Sequence, residues 1–496
     1  MLKSSLLEIL RTFSKQELIK FEDFVRSPYF NKKENVLKLF LEIRKYTPEF
    51  SSGNLEKEKV WKVLFPGKEY NYGIMKNLIH DLGKLCESFL CEEVYKDNEM
   101  QHSLDFLTSV FSRNIESIFI NKIESTERSF RKNFETNKYV YAHEFYKQFG
   151  NILELKSNFF HVNTPQNKKQ NELKNVSEFL IYGFLLNCFR VFHKLMVHNL
   201  DLNLSPDSNI MFRLLKEMDD NSILKDIIDY SENSSTKDHK ILKANYLMYK
   251  ALTANLSADA YNEFKNFLFE NRSCFSKDEI RALHVGLLTS LTNLKITTDK
   301  FYHEYFSIIQ MGFQSKVMLN NDGSITYQSF FSIVNVSLGA GEIKFVEEFI
   351  NSYKNKLPLN LRESMYNYSM AQLNFAKKNF DKAVEFLSLI KDEPGFLKFS
   401  IKNIQMSIYY ELDDRVAFDY SLDSFKHFIK KNKLTNESRV LTLTQYCNYI
   451  KTLFKLREKP DRFGLTNLKR EITVKKVINK KWILEKVEEL EKVTLK

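Results

Sequence analysis

The stretch Met370-Ala371-Gln372-Leu373-Asn374-Phe375-Ala376-Lys377-Lys378-Asn379-Phe380-Asp381-Lys382-Ala383 reads as the end of one helix, a tight turn and the start of a second helix. Working outward from it, Met370 and Ile404 lie 34 residues apart, as do Phe375 and Tyr409, Ala383 and Ala417, and Phe386 and Tyr420. A fixed period of this length marks helical hairpins that stack on one another, because one hairpin cannot bury its apolar face alone. Alanine is needed where two helices approach closely, which suits Ala371 and Ala383 as facing small positions.

These residues resemble the tetratricopeptide repeat, and the likeness extends over residues 325–450. Gln405 stands where the second repeat needs a small residue, Ser421 replaces Leu387, and the preceding helix pair, Tyr327 to Lys356, falls a few residues off register. The resemblance implies an all-α solenoid whose first helices line a concave groove for an extended peptide or a partner helix. The groove positions it implies are Tyr368, Gln372 and Phe375, then Lys402, Met406 and Tyr409. Ordinary helix packing is the alternative role for all six. The chain as a whole is similar to large all-helical bacterial proteins with a Ser-Pro-Tyr-Phe-Asn motif near the start, here Ser27 to Asn31. That likeness implies no activity, and locally the motif reads as a helix stop and restart.

Composition agrees with an all-α fold. The 496 residues include 13 glycines and 8 prolines, where average usage would give roughly 60 of the two together. Few residues suited to positive φ, and few helix breakers, predict few sharp corners and long helices. The pattern divides the chain into an N-terminal helical unit over 1–95 and an irregular hairpin array over 96–324. Repeat-like hairpins over 325–450 and basic capping helices over 451–496 follow. Ser14-Lys15-Gln16-Glu17 and Ser276-Lys277-Asp278-Glu279 are capping boxes that open helices. Pro28 stops the first of these helices, Asn31 and Glu34 begin the next, and a third spans Met75 to Glu92. Only Lys316–Leu319 and Ser324–Tyr327 hint at strand.

Most chemistry lacks its signature. No apolar run is long enough for a bilayer span, the start has no secretory pattern, and the five cysteines form no disulfide framework. A soluble cytoplasmic protein is expected. His193 and His198, like Cys86 and Cys91, are five residues apart and face different sides of a helix, so no metal site is expected. Gly67-Lys68, Gly83-Lys84 and Gly339-Ala340-Gly341 lack phosphate-loop spacing, and the last reads as a helix C-cap. Asp219-Asp220 and Asp413-Asp414 suit helix N-termini. No catalytic residue, cofactor or metal is expected, and an enzyme would need residues assembled only by the fold.

Charge leaves a second class open. The net charge is +11, and the last 96 residues carry 21 basic against 13 acidic residues. Lys455, Arg457, Lys459, Arg462, Lys469, Arg470, Lys475, Lys476, Lys480 and Lys481 form a basic stretch that suits nucleic acid. It equally suits the solvated face of a capping helix built on Trp482, Ile483, Leu484, Val487 and Leu490.

Overall fold

The computed structural model describes residues 4–139, 141–163, 166–202, 209–253, 257–292, 294, 298–320, 322–391, 395–431, 437–475 and 477–494. Among them are 24 α-helices and no strand. Lys316–Leu319 is a turn and bend, and Ser324–Thr326 is an irregular stretch that leads into a helix at Tyr327; the Asn320 amide donates to the Ser324 carbonyl at 2.9 Å between them. The chain divides into two compact units, Met1–Phe130 with Gln148–Leu173, and Arg131–Lys147 with Lys174–Lys496.

The first unit begins with α1 (Ser5–Leu10), α2 (Lys15–Arg26), α3 (Glu34–Arg44), α4 (Lys57–Leu64), α5 (Tyr72–Asp97) and α6 (Glu99–Ser112). Its core runs from Leu6 to Phe89, with α1, α2 and α3 packed on the 26-residue α5. Both bonds of the Ser14–Glu17 capping box are made, and Ser27 leaves the helical region before Pro28. The Ser27–Asn31 motif restarts the chain through Phe30, which stacks on Phe24 at 4.0 Å. Asn31 takes part through Nδ2, donated to the Val25 carbonyl at 2.9 Å. Its Oδ1 accepts from the Lys33 amide at 2.9 Å, so the next helix begins one residue later, at Glu34.

Helices α7 (Glu116–Glu135), α8 (Ala142–Asn163) and α9 (Gln166–Leu202) have residues in both units. Within α9, Leu173–Val197 is long and apolar enough to cross a membrane by length and composition. Tyr182, Leu185, Leu186, Phe189 and Phe192 on it are buried in protein, whereas Leu173, Leu180, Ile181 and Phe184 are exposed. The second unit continues with α10 (Ile210–Asp220), α11 (Ile223–Tyr230), α12 (Thr236–Thr253), α13 (Ala258–Glu270), α14 (Lys277–Leu291) and α15 (Thr298–Gln314). Next come α16 (Tyr327–Gly339), α17 (Ile343–Tyr353), α18 (Leu359–Ala376), α19 (Phe380–Ser388) and α20 (Gly395–Glu411). The last are α21 (Arg415–Lys431), α22 (Glu437–Glu458), α23 (Arg462–Val474) and α24 (Lys480–Thr494). From α15 onward each helix packs on the next, and α16, α18, α20 and α22 also touch in sequence. Ala371 and Ala383 are fully buried, and α18 and α19 pack closely.

A buried polar junction ties the start of this unit to α12. Asp238 accepts from Arg131 Nη1 at 3.0 and 3.2 Å, from Ser235 Oγ at 2.8 Å and from the Tyr146 hydroxyl. Beside it, Lys237 Nζ donates to the Phe134 carbonyl and, at 2.5 Å, to Asn137 Oδ1. The Arg131 guanidinium also lies 4.8 Å from the Phe179 ring centre.

Sharp corners are common despite the scarcity of glycine. Among the described residues, eight non-glycine residues and three glycines have positive φ. Asn114, Asn137, Lys316, Lys378 and Asp413 sit at helix ends where the residue's own amide and the following one reach back to the last turn, a Schellman arrangement normally built on glycine. The expectation of few corners fails because Asn, Asp and Lys take the left-handed positions. Asp219 and Asp220 also depart from the sequence reading. They end α10 rather than start a helix, and Lys250 Nζ pairs with Asp219 at 2.9 Å.

Candidate functional site

Three of these turns organise a cleft. Helices α16, α18 and α20 end in the same Schellman bonds around Gly341, Lys378 and Asp413. The turn residues are 37 and then 35 residues apart, so equivalent helix positions follow the same offsets. Phe331 thus matches Tyr368 and Asn403, Asn335 matches Gln372 and Ser407, and Leu338 matches Phe375 and Tyr410. Side-chain contacts agree with this register. Phe331 and Tyr368 stack at 5.6 Å and 13°, and Gln372 Nε2 donates to Asn335 Oδ1.

Together with α15 and α24, these helices enclose a cavity of about 690 Å³. Tyr302 and Tyr305 enter from α15, and Trp482 and Lys486 from α24. Gly339 is required where Tyr302 crosses α16, since a Cβ there would lie 2.4 Å from its ring. Trp482 lies 6.3 Å from Phe375 and 5.6 Å from Tyr410. Its Nε1 donates to Glu411 Oε1 at 2.7 Å, and Lys486 Nζ reaches the same oxygen at 2.9 Å. Burial opposes the Lys486 charge, but Glu489 and Glu411 outweigh it and hold the ammonium above the ordinary lysine range. Burial pushes Tyr305 up to about 12 and raises Tyr368 strongly, so both phenols stay neutral.

Two amide oxygens of the wall, Gln372 Oε1 and Asn403 Oδ1, are buried without a hydrogen-bond partner among the described residues. Each unmet acceptor costs about 1–3 kcal/mol.

Of the groove positions read from sequence, Tyr368, Gln372 and Phe375 line the cleft, whereas Lys402, Met406 and Tyr409 do not. Met406 is fully buried in a separate core with Tyr410, Phe418 and Phe454, and Tyr409 packs against that core. For Lys402 the cause is one residue of register: a repeat of 34 instead of 35 turns the choice about 100° away from Asn403, which lines the cleft. Ser407 and Tyr410, the 35-residue equivalents of Gln372 and Phe375, do not line it either. Tyr420, paired with Phe386 by the 34-residue reading, is 77% exposed. A cap signal contained the correct offset, because Asn379 and Asp414 precede α19 and α21 and lie 35 apart.

Half of the basic stretch bonds within the fold. Arg457 meets Asp413 at 3.4 Å, Lys469 meets Glu491 at 2.8 Å, and Lys475 pairs with Glu471. Lys481 meets Asp299 at 3.0 Å, and Lys480 donates to the Thr473 carbonyl at 2.7 Å. Lys455, Lys459, Arg462 and Arg470 have no carboxylate partner among the described residues, and Lys476 lies outside them. No cluster of three metal-ligating side chains occurs among the described residues. His193 is buried, and the side chain of His198 lies outside the described residues. Cys86 is buried, with its thiol pushed up to about 12 by burial, whereas Cys91 is exposed. Comparison with protein families, with curated proteins and with solved structures gives no match.

Proposed function

We propose that the chain is a non-catalytic interaction protein that holds a peptide or partner helix in the cleft of α15, α16, α18, α20 and α24. One observation carries this reading: aligned positions of three successive helices set aromatic rings and amide side chains along one cavity. Aromatic walls supply contact area, and amide oxygens accept from backbone or side-chain N–H groups of the partner. The recurrent Schellman turns and the contacts of α16, α18, α20 and α22 support a tetratricopeptide-like array over this part of the chain. The nucleic-acid alternative has less support, because half of the ten basic residues already bond within the fold.

Selection from a random peptide library against the purified chain tests the proposal. Enriched peptides should lose about tenfold in affinity for Gln372→Ala, as expected for one or two buried hydrogen bonds, and more for Tyr368→Ala. Peptides that bind both variants as tightly as the parent chain would place recognition elsewhere.

A further inference from the structure

A second cavity, of about 480 Å³, opens in the same unit among α8, α9, α12 and α14. That volume lies within the range of small-molecule sites. Its charges are unevenly matched. Arg190 stands on the wall with Nε buried and without a partner among the described residues. Among the described residues its guanidinium donates from Nη2 to Asn187 Oδ1 at a long 3.3 Å. Lys194, one turn further along α9, is exposed at the rim and has no carboxylate in ion-pair reach among the described residues.

The acids of the wall are engaged elsewhere. Asp278 bonds to Arg281, and Glu279 accepts from the backbone amides of Ser276 at 2.8 Å and Ala142 at 2.9 Å. Glu144 faces solvent. A histidine on the wall registers the resulting field. Burial first, then Arg190 and Lys194, push His143 down to about 4. Leu186 and Met248 give the cavity an apolar side.

We propose that this cavity binds a small organic anion, its carboxylate or phosphate held by Arg190 and Lys194 and its apolar part set against Leu186 and Met248. Guanidinium suits either group, since its fork of donors matches two oxygens at once. The site is separate from the aromatic cleft and does not depend on what that cleft holds.

Calorimetric titration of the full chain with phenyl phosphate, benzoate and benzyl alcohol tests this. One saturable site at millimolar concentration is expected for phenyl phosphate or benzoate, and none for the neutral alcohol. The stronger of the two acids identifies the headgroup. Arg190→Met should weaken binding about tenfold or more, the loss of a charge-assisted pair of bonds. Lys194→Met, at an exposed position where folding is not at stake, should weaken it by a smaller factor. In a proton NMR titration, saturation should raise the pKa of His143 in the parent chain. Absence of saturable heat with both acids overturns the proposal. Equal binding by the folded Lys194→Met and Arg190→Met variants does so too.

Discussion

The Asp238 junction and the aromatic cleft both bury polar groups among aromatic rings, and they treat them in opposite ways. At the junction, Asp238 has three side-chain donors, and Lys237 has two oxygen acceptors. In the cleft, Gln372 and Asn403 bring amide oxygens into the same kind of surroundings and leave them unmet. A satisfied buried network fixes one arrangement of the chain, whereas an unsatisfied one keeps bonding capacity for something else. Stability should therefore concentrate at the first site and recognition at the second.

The largest effect should come from breaking the junction. Asp238→Ala removes the carboxylate that accepts from Arg131, Tyr146 and Ser235, which should lower stability by about 3–5 kcal/mol. A urea titration followed by circular dichroism measures it. Gln372→Ala, at the unmet position, should change stability by less than about 1 kcal/mol in either direction. A large loss there would erase the distinction between the two sites.

Lys486 tests the rim where the cleft is closed by charge. Its side chain is 7% exposed and meets both Glu411 and Glu489 at 2.9 Å. Lys486→Met should therefore cost about 1–3 kcal/mol at neutral pH. Its pKa is raised by folding, so the contribution is complete below the unfolded lysine value, about 10.4. It fades as pH climbs through the higher folded value. The melting-temperature gap between parent and variant should stay constant from neutral pH to about pH 10 and narrow beyond it. A gap that narrows already near pH 8 would mean that Lys486 is not held by these carboxylates.

Local chemistry was legible in the sequence wherever one short segment decides the outcome. Both capping boxes and the stop at Ser27-Pro28 follow from neighbours within a turn or two. The cleft was legible on α18 and not on α20: a single-residue difference between repeats turns a helix by about 100° and hides Asn403, while Ser407 and Tyr410, the equivalents of Gln372 and Phe375, do not line the cleft at all. Ala383 and Ala417 favoured the wrong offset: Ala383 is fully buried, but its equivalent after 35 residues is Phe418, also fully buried. The Asp238 junction was out of reach. Arg131 and Tyr146 precede Asp238 by 107 and 92 residues, and no local pattern links them.

The smallest expected effect concerns the turns that set the register. Lys378 sits at φ +61° between α18 and α19, where Gly341 holds the matching place after α16. A residue with a Cβ in this region costs about 1–2 kcal/mol, while glycine gives back roughly 0.5–1 kcal/mol through the freedom of the unfolded chain. Lys378→Gly should therefore stabilise the protein by about 0.5–1 kcal/mol, the difference between those terms. The Lys378 ammonium is 3.9 Å from Glu485 with both side chains at least half exposed, a pair too solvated to reverse the sign. Gly341→Lys, the converse change, should destabilise by a similar amount, since nothing lies within 4 Å of its Cβ position and only backbone strain opposes the substitution. If both changes proved neutral, the turns would not carry the strain assigned to them. The equivalence of α16, α18 and α20 would then rest on the side-chain contacts of Phe331, Tyr368, Asn335 and Gln372.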